Sequence, residues 1–391
     1  MAFAVALRLL IVSAMLLASC GQILIPKRTK PASSDAPARD LRDIERPAVS
    51  SKARPIAGFM RGINLGNGLD APREGAWGVV LDEQHFAMAE AAGLDHVRLP
   101  VRFSAHAGDD PPYTVDEEFF KRVDWAIERA LAHRLSVIVD LHHYEEIMKA
   151  PEENAARLLG IWSQIALRYK DRPRSVAFEL LNEPSDKLTS DKLNPLMARV
   201  VEVVRAHNPT RLVFVDGYFW ANAEYLHQLV LPEDANVIPS FHMYQPILFT
   251  HQGASWMGPE YQTLGVVFPG PPATPITPVG AAQQTPWVRG WFEGYNHLPL
   301  ETNPGGPSTV FAHFGHAERY VAKTGKRMYL GEFGAIANAD PQSRVSYLRL
   351  VRQEAERYGF GWAYWDDGGK NQGMVVSNRT WVPAVKSALF E

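Results

Sequence analysis

The stretch SVAFELLNEPSD, residues 175–186, joins an apolar run to a polar end. Glu179 is the single charge within the apolar run, which closes on Asn182, Glu183 and Pro184. Short apolar runs bounded by turn residues are typical of strands buried on both faces of a parallel sheet. The amide and the acid at its end predict that this strand opens onto a functional site.

Similar short apolar runs recur along the chain, with amphipathic helical stretches between them. In chain order, the strand candidates are RGINLG, DHVRLPV, LSVIVDLHHY, SVAFELLNEP, RLVFVDG, ANVIPSFHMY, KRMYLGEFG and FGWAYWDD. Strands that alternate with helices predict a parallel α/β sheet, and eight of them predict a closed (β/α)8 barrel, the TIM barrel. An open, doubly wound sheet is the alternative, although GINLGNGL lacks the glycine spacing of a phosphate-binding turn.

The connection after the sixth predicted strand is unusually long. Between Tyr244 and about Ser308 the chain is rich in proline and glycine, as in FPGPPATPITPVG. Connections of this length without secondary structure are rare inside compact domains and are often functional. In a barrel, this long loop is expected to lie over the face that carries the active site.

The amino-terminal residues predict export and lipid attachment. In residues 1–19, MAFAVALRLLIVSAMLLAS, one arginine precedes an apolar run that is too short to span a bilayer, as in an export signal. The next residues complete LASC, which resembles a bacterial lipobox and contains Cys20, the only cysteine of the chain. The resemblance implies cleavage before Cys20 and its lipidation. An ordinary secretory signal followed by an incidental cysteine is the alternative.

Three parts of the chain follow from these patterns. Residues 1–19 are the predicted signal peptide, 20–55 the lipidated cysteine with a flexible tether rich in Pro, Ser and mixed charges, and 56–391 the folded domain. Gly21, in place of an aspartate after the cysteine, predicts the outer membrane of a Gram-negative bacterium, reached through the lipid anchor alone. A formal net charge of −3 gives no basic footprint for nucleic acid, and we expect a monomer.

Polar and aromatic side chains mark the ends of six predicted strands. In a (β/α)8 barrel, the active site is built from the carboxyl ends of several strands. The residues at these ends are Arg98, His142, His143, Asn182, Glu183, His242, Tyr244, Glu332 and Trp365. Each residue alone has a structural explanation, as a core residue or a surface charge, but their coincidence favours a common site.

Two of these residues, Glu183 and Glu332, follow the fourth and seventh strands and should face each other across the barrel mouth. Two opposed carboxyls suit glycosidic bond cleavage, since one donates a proton to the leaving oxygen and the other attacks or directs water at the anomeric carbon. A metal-dependent hydrolase is the main rival, because His142, His143 and His242 are possible ligands. The adjacent pair should point to opposite faces of its strand, so we predict no metal and no cofactor.

The motifs that carry these residues resemble glycoside hydrolase family 5, the cellulase and mannanase group. In order, they are RGINLGN, VRLPV, DLHHY, ELLNEP, FHMY, FTHQGASW, LGEFG and WAYWDD, and they cover about Gly58 to the C-terminus. The chain looks most like the bacterial endoglucanase and mannanase branch with a GINLGNALEAP-like opening and an FTHQGAEW-like loop. The segment Gly258 to Gln284 looks longer than its counterpart in compact members.

The resemblance implies that residues 56–391 are a retaining, endo-acting β-glycosidase. Glu183 would be the general acid/base, with a pKa raised by burial and by the charge of Glu332. Glu332 would be the nucleophile, kept ionised by Arg98 and Tyr244. Asn182 would bond the sugar 2-hydroxyl.

The family motifs also imply supporting and sugar-contacting residues. The supporting residues are His142, His143 and His242, and the sugar-contacting residues are Asn67, Asp70, His251, Trp256 and Trp365. Asp70 stands where a longer glutamate is usual. The expected substrate is a β-1,4-linked glucan, with mannan or a mixed-linkage glucan as alternatives. A non-catalytic carbohydrate-binding lipoprotein is the alternative of a different class.

Two expectations concern the backbone and the interior of the fourth strand. Proline disfavours helical conformation in the residue before it, so Glu183 should be extended. Because side chains alternate along a strand, Glu179 should lie inside the barrel, paired with Arg61 or Arg98.

Overall fold

A closed barrel of eight parallel strands forms the centre of the protein. The computed structural model describes residue 41 and residues 44–366, 375–376 and 380–391. The barrel strands are β1 (Arg61–Leu65), β2 (His96–Val101), β3 (Ser136–Leu141), β4 (Val176–Glu179), β5 (Val213–Asp216), β6 (Val237–Met243), β7 (Tyr329–Phe333) and β8 (Gly361–Asp366). They pair in chain order, and β8 closes onto β1 with Trp365 beside Asn64. The predicted TIM barrel is confirmed.

Helices surround this barrel. The α-helices of the described residues are α1 (Glu83–Ala91), α2 (Glu117–Ala132), α3 (Glu145–Lys149), α4 (Pro151–Arg168), α5 (Ser190–Arg205), α6 (Tyr218–Ala221), α7 (Ile247–Thr250), α8 (Pro286–His297), α9 (Pro307–Thr324), α10 (Pro341–Tyr358) and α11 (Pro383–Phe390). Short 3-10 helices span Phe103–His106, Ala223–Gln228, Pro259–Tyr261 and Gly280–Gln283. A two-stranded antiparallel sheet, β9 (Val375–Val376) and β10 (Thr380–Trp381), lies outside the barrel sheet.

Helix α2 illustrates how the sequence positions these elements. The carboxylate of Asp116 accepts hydrogen bonds from the N–H groups of Glu118 and Phe119, which satisfies donors that the first helical turn leaves free. Phe120, Val123 and Ile127 recur at the helical period and are buried. The cap fixes where the helix begins, and the apolar stripe fixes which face packs on the barrel.

The predicted long connection after β6 is present, and it is more ordered than a proline-rich loop suggests. It contains α7 and α8, and Pro286 begins α8, where its missing N–H costs no helical hydrogen bond. The hydroxyl of Tyr295 on α8 donates to the carbonyl of Val267 and accepts from its N–H, at 3.0 and 2.8 Å. Phe268 is buried against Phe249. The connection is therefore packed onto the barrel by its own side chains.

The last residues of the predicted tether contact the folded domain. Arg46 donates to Glu354 at 3.1 Å, the N–H of Ser51 donates to Glu318 at 2.9 Å, and the N–H of Ala53 donates to the carbonyl of Tyr358 at 2.9 Å. The predicted division at residues 19 and 55 stays a prediction, and the signal peptide and Cys20 lie outside the described residues. Within the described part of the chain, no helix has the length and apolar character of a membrane span.

Candidate active site

Glu332 on β7 is held as a buried carboxylate. Arg98 Nη1 donates to its Oε1 at 2.7 Å, and the Tyr244 hydroxyl donates to its Oε2 at 2.9 Å. Burial alone would raise the pKa of Glu332, but the positive charges of His242 and Arg98 and these hydrogen bonds outweigh burial and lower that pKa. Glu332 is therefore ionised at neutral pH, as a nucleophile requires.

Arg98 connects this carboxylate to the barrel interior. It lies in the middle of β2, not at the strand end that the sequence suggested, and its long side chain is fully buried. Nε and Nη2 donate to the two oxygens of Glu179 at 2.7 and 2.6 Å. The guanidinium also donates to Asn64 Oδ1 at 2.8 Å and Asn182 Oδ1 at 2.7 Å. These partners fix the guanidinium plane, because the arginine fork matches carboxylate geometry.

The expected interior position of Glu179 is confirmed, and Arg98 is its partner. Arg61 is exposed and pairs instead with Glu356 at 2.8 Å. Glu179 is the last residue of β4, so the strand ends before Asn182 and Glu183.

Glu183 lies in a turn beyond β4 with φ of 47°, in the left-handed region. The extended conformation predicted from Pro184 is therefore wrong. The backbone N–H of Glu183 donates to Asp216 Oδ2 at 3.0 Å. This bond stabilises the left-handed backbone conformation, which costs a non-glycine residue roughly 1–2 kcal/mol. The Glu183 side chain keeps 27% of its surface exposed, because it faces the cleft.

The two glutamates differ in proton affinity. Burial raises the pKa of Glu183 and the negative charge of Glu332 acts in the same direction, whereas the hydrogen bond and charge of His242 oppose them. A carboxylate oxygen of Glu183, one of Glu332 and a ring nitrogen of His242 all lie within 4.8 Å of one another. Carboxyls whose environments push their pKa values apart are suited to separate acid and base roles.

His242 at the end of β6 lies between these acids. Its Nδ1 donates to Glu183 Oε1 at 2.8 Å and lies 3.7 Å from Glu332 Oε2. Burial disfavours the imidazolium, but the negative charges of Glu332, Asp216 and Glu183 outweigh burial and raise the pKa of His242 to about 9. His242 therefore carries a positive charge at neutral pH.

Asp216, the last residue of β5, is a site residue that sequence reasoning missed. It is fully buried, accepts from the N–H of Glu183, and lies 3.5 Å from His242 Nε2. Its Oδ1 has no hydrogen-bond partner among the described residues, and burial raises its pKa to about 7. The available signal was VFVDG, an apolar strand that ends on an acid, like the fourth strand.

The adjacent histidines do not point to opposite faces, and that prediction is wrong. Strand β3 ends at Leu141, so strand alternation no longer applies to His142 and His143, whose rings lie 4.6 Å apart. Burial lowers the pKa of both histidines. His142 Nδ1 donates to Asp140 Oδ2 at 2.5 Å, which fixes its ring orientation.

Three sets of side chains in the described residues could each offer metal ligands within 4.8 Å of one another. The sets are Asp70–His142–His143, Glu179–Asp216–His242 and Glu183–His242–Glu332. The second and third sets share His242, whose ring already hydrogen-bonds Glu183. The first set has neutral histidines and is the arrangement that chelation experiments should address.

The expected sugar-contacting residues differ in accessibility. Trp365 is partly exposed and lies parallel to the His142 ring at 5.5 Å. Trp256 is 52% exposed and 6.3 Å from His251, which is itself buried. Asp70 is fully buried and accepts from the N–H of Asn67 at 3.1 Å. The short aspartate thus exposes no surface to a sugar ring.

A second exposed aromatic lies beside the acid and was not predicted. The Trp220 side chain is 51% exposed, and the backbone N–H of Trp220 donates to the carbonyl of Pro184 at 3.1 Å. Phe219, Trp220 and Ala221 of α6 all have positive φ, so α6 is a left-handed turn and not a regular α-helix. In the sequence, YFWA after a strand reads as ordinary core, and only the backbone geometry brings Trp220 to the surface.

Comparison with known proteins agrees with this geometry. The chain matches the model of the cellulase family, described as glycosyl hydrolase family 5, over residues 58–371. Endoglucanase H of Acetivibrio thermocellus is 30% identical over 84% of this chain and 32% of its own length. Cellulase/esterase CelE of the same organism is 29% identical over 80% of this chain and 36% of its own length. The chain thus spans about a third of the length of these two curated relatives.

Solved structures match over most of both chains. Thermotoga maritima Cel5A in complex with cellobiose superposes with a TM-score of 0.74 and 35% identity, covering 85% of this chain and 98% of that chain. The cellulose synthase subunit Z (CcsZ) of Clostridioides difficile gives 0.71 and 34%, covering 85% and 100%. The family predicted from the motifs is confirmed: the chain belongs to glycosyl hydrolase family 5, the cellulase family, and is a glycoside hydrolase.

Proposed function

We propose that the protein is a retaining, endo-acting β-glycosidase that hydrolyses internal β-1,4 bonds of a glucan by double displacement. Glu332 is the nucleophile and Glu183 the general acid/base. The observation that carries the proposal is the approach of their carboxylate oxygens to within 4.8 Å. Retaining enzymes separate these carboxyls by about 5 Å, whereas inverting enzymes need roughly 6.5–9.5 Å to admit a water.

In the first step, Glu332 attacks the anomeric carbon while Glu183 gives its proton to the leaving oxygen, so that a glycosyl–enzyme ester forms and the glycosidic bond breaks. In the second step, Glu183 takes a proton from water, which displaces Glu332 and releases the sugar. The lowered pKa of Glu332 and the raised pKa of Glu183 support this order of protonation. The charge of His242 opposes the build-up of negative charge when both acids are ionised.

A β-glucan is the favoured substrate, with mannan as the second candidate. Relatives of the chain include Endoglucanase H of Acetivibrio thermocellus, and Thermotoga maritima Cel5A has been solved with cellobiose. The same enzyme has also been solved with mannotriose, at a TM-score of 0.73 and 35% identity. The exposed rings of Trp256 and Trp220 suit pyranose faces of either sugar, because stacking reads the apolar face of the ring.

We also propose that the enzyme acts as an outer-membrane lipoprotein of a Gram-negative bacterium, anchored through Cys20. The supporting observation is the lipobox-like LASC, which contains the only cysteine of the chain. Mass spectrometry of membrane-extracted protein should find the chain beginning at a lipidated Cys20. An unmodified Cys20 thiol in that fraction would rule out the anchor.

The stereochemistry of the first product tests the proposed mechanism. The purified protein, incubated with a panel of defined β-glucans and mannans, should release reducing ends from internal bonds of β-1,4-glucan. Proton NMR during the first minutes should show the β-anomer before mutarotation. Initial formation of the α-anomer would contradict the double displacement, and binding of glycans without release of reducing ends would contradict catalysis.

A further inference from the structure

Exposed apolar side chains are concentrated in the connection between β6 and β7. Ten large apolar side chains are exposed in the described part of the chain, and five of them lie in this connection. These five are Trp256, Leu264, Val279, Trp287 and Leu298. Concentrated apolar surface on a soluble protein marks an interaction site. The mechanism described above uses none of these side chains beyond Trp256.

The backbone under this surface is fixed by buried hydrogen bonds. The Gln252 side chain is fully buried and donates to the carbonyls of Phe249 and Val266 at 3.0 and 2.8 Å. It accepts from the N–H of Gly265 at 2.8 Å. The N–H of Val279 donates to Thr263 Oγ1 at 3.1 Å, which joins the two halves of the connection. The exposed rings are therefore presented on an ordered frame.

A row of rings leads from the nucleophile to this surface. Tyr244, which donates to Glu332, packs edge-on against His251 with ring centroids 4.9 Å apart. Trp256 lies 6.3 Å from His251. The carbonyl of Tyr261 accepts from the N–H of Gly253 at 2.8 Å, so Tyr261 borders the turn that carries His251.

Trp287 on α8 extends this row outward. Its ring centroid lies 5.9 Å from that of Tyr261, and it is 48% exposed. The row begins at Tyr244, which donates to Glu332. Tyr261 and Trp287 thus extend outward from the turn that carries His251 and leads to Trp256.

We propose that Tyr261 and Trp287 form a distal binding surface for sugar rings of a long β-glucan chain, beyond the ring that Trp256 contacts. The inference rests on the proposed function for its ligand class. Pyranose chains present apolar faces at regular intervals, and exposed aromatic rings on a rigid frame bind such faces at low entropic cost. Continuity with the cleft favours a glycan over a protein partner.

Binding and turnover together test the surface. In the Glu332→Gln background, titration calorimetry should show that Trp287→Ala weakens cellohexaose binding about fivefold and leaves cellobiose binding unchanged. In the active enzyme, the same substitution should raise KM about fivefold for a soluble β-glucan and leave kcat/KM for an aryl β-cellobioside unchanged. Trp287→Phe should restore most of the lost affinity. Leu167→Ala, at a similarly exposed residue (49%) on α4, should change neither the binding affinities nor the kinetic constants.

The outcomes separate the surface from the reaction. Equal losses on cellohexaose and cellobiose would mean a general structural effect, and no loss on either would leave the surface to another partner; each result overturns the proposal. If the wild-type protein hydrolyses no glucan, the proposed function is overturned. Calorimetric comparison of hexaoses of glucose and mannose would still support or refute the binding surface.

Discussion

The two glutamates of the site occupy contrasting settings. Glu332 is part of a barrel strand, and its carboxylate contacts the buried guanidinium of Arg98 and the hydroxyl of Tyr244. Glu183 lies outside its strand, in a left-handed turn held by Asp216, and its partly exposed side chain contacts His242. The first setting lowers a carboxyl pKa and the second raises one.

This difference shows that residue type alone does not assign the roles. A fixed positive charge inside the barrel keeps one glutamate ionised, whereas desolvation at the cleft raises the pKa of the other. Sensitivity to substitution should follow the same division, with the strand-borne glutamate depending on buried charge and the turn-borne glutamate on backbone position.

The largest expected effect distinguishes the two glutamates directly. Glu332→Gln should lower kcat by about 10⁴-fold or more on every substrate, because no covalent intermediate forms without the nucleophile. Glu183→Gln should lower kcat by about 10²–10⁴-fold on cellohexaose. The same substitution should lower the rate of bond breaking in a dinitrophenyl cellobioside much less, because that leaving group needs no proton. Steady-state and burst kinetics on both substrates measure the difference.

The pH profile provides a control for this assignment. Wild-type kcat/KM should rise with pH through the lowered pKa of Glu332 and fall through the raised pKa of Glu183, because the reaction needs the first ionised and the second protonated. Glu183→Gln should lose the alkaline limb and keep the acidic one. Loss of the acidic limb in this variant would reverse the two roles.

Arg98→Lys should give the next largest effect, on stability as well as rate. Lysine keeps the charge but not the paired bonds to Glu179, and a broken buried ion pair costs about 3–5 kcal/mol. Chemical denaturation followed by circular dichroism measures the loss. Arg61→Lys is the matched control, since its pair with Glu356 is partly exposed and should change stability by less than about 1 kcal/mol. Equal effects of both substitutions would contradict the interior role.

Asp216→Asn should affect the Glu183 side of the site. Asparagine keeps a carbonyl for the N–H of Glu183 but removes the charge that raises the pKa of His242. The His242 titration, followed by imidazole NMR, should therefore move down from about 9, and kcat should fall by about tenfold. Asp234→Asn, which alters a bond to Arg205 before β6, should leave both unchanged. An unmoved His242 titration would show that Asp216 acts only structurally.

Chelation should have the smallest effect. The proposed double displacement uses no metal. Prolonged dialysis against EDTA should leave kcat within error of the untreated enzyme. A loss of activity that zinc or another divalent metal restores would point to Asp70–His142–His143 as a metal site.

Most residues of the site were predictable from the sequence, whereas the backbone conformations of the turns and the role of Asp216 at the end of β5 were not. The apolar runs predicted the eight strands, and the end of the seventh run identified Glu332. Strand alternation predicted that Glu179 lies inside the barrel, where it pairs with Arg98. Alternation fails one residue beyond a strand, which is why the direction of His143 was mispredicted. The left-handed backbone of Glu183 depends on a tertiary bond to Asp216, which no local pattern encodes.

Covalent trapping tests the central claim most directly. A 2-deoxy-2-fluoro-β-cellobioside with an activated leaving group should inactivate the enzyme and add one glycosyl group per chain, and peptide mass spectrometry should place that group on Glu332. Label on Glu183, or full turnover of the reagent through an α-configured product without any ester, would contradict the assignment of Glu332 as the nucleophile of a retaining reaction.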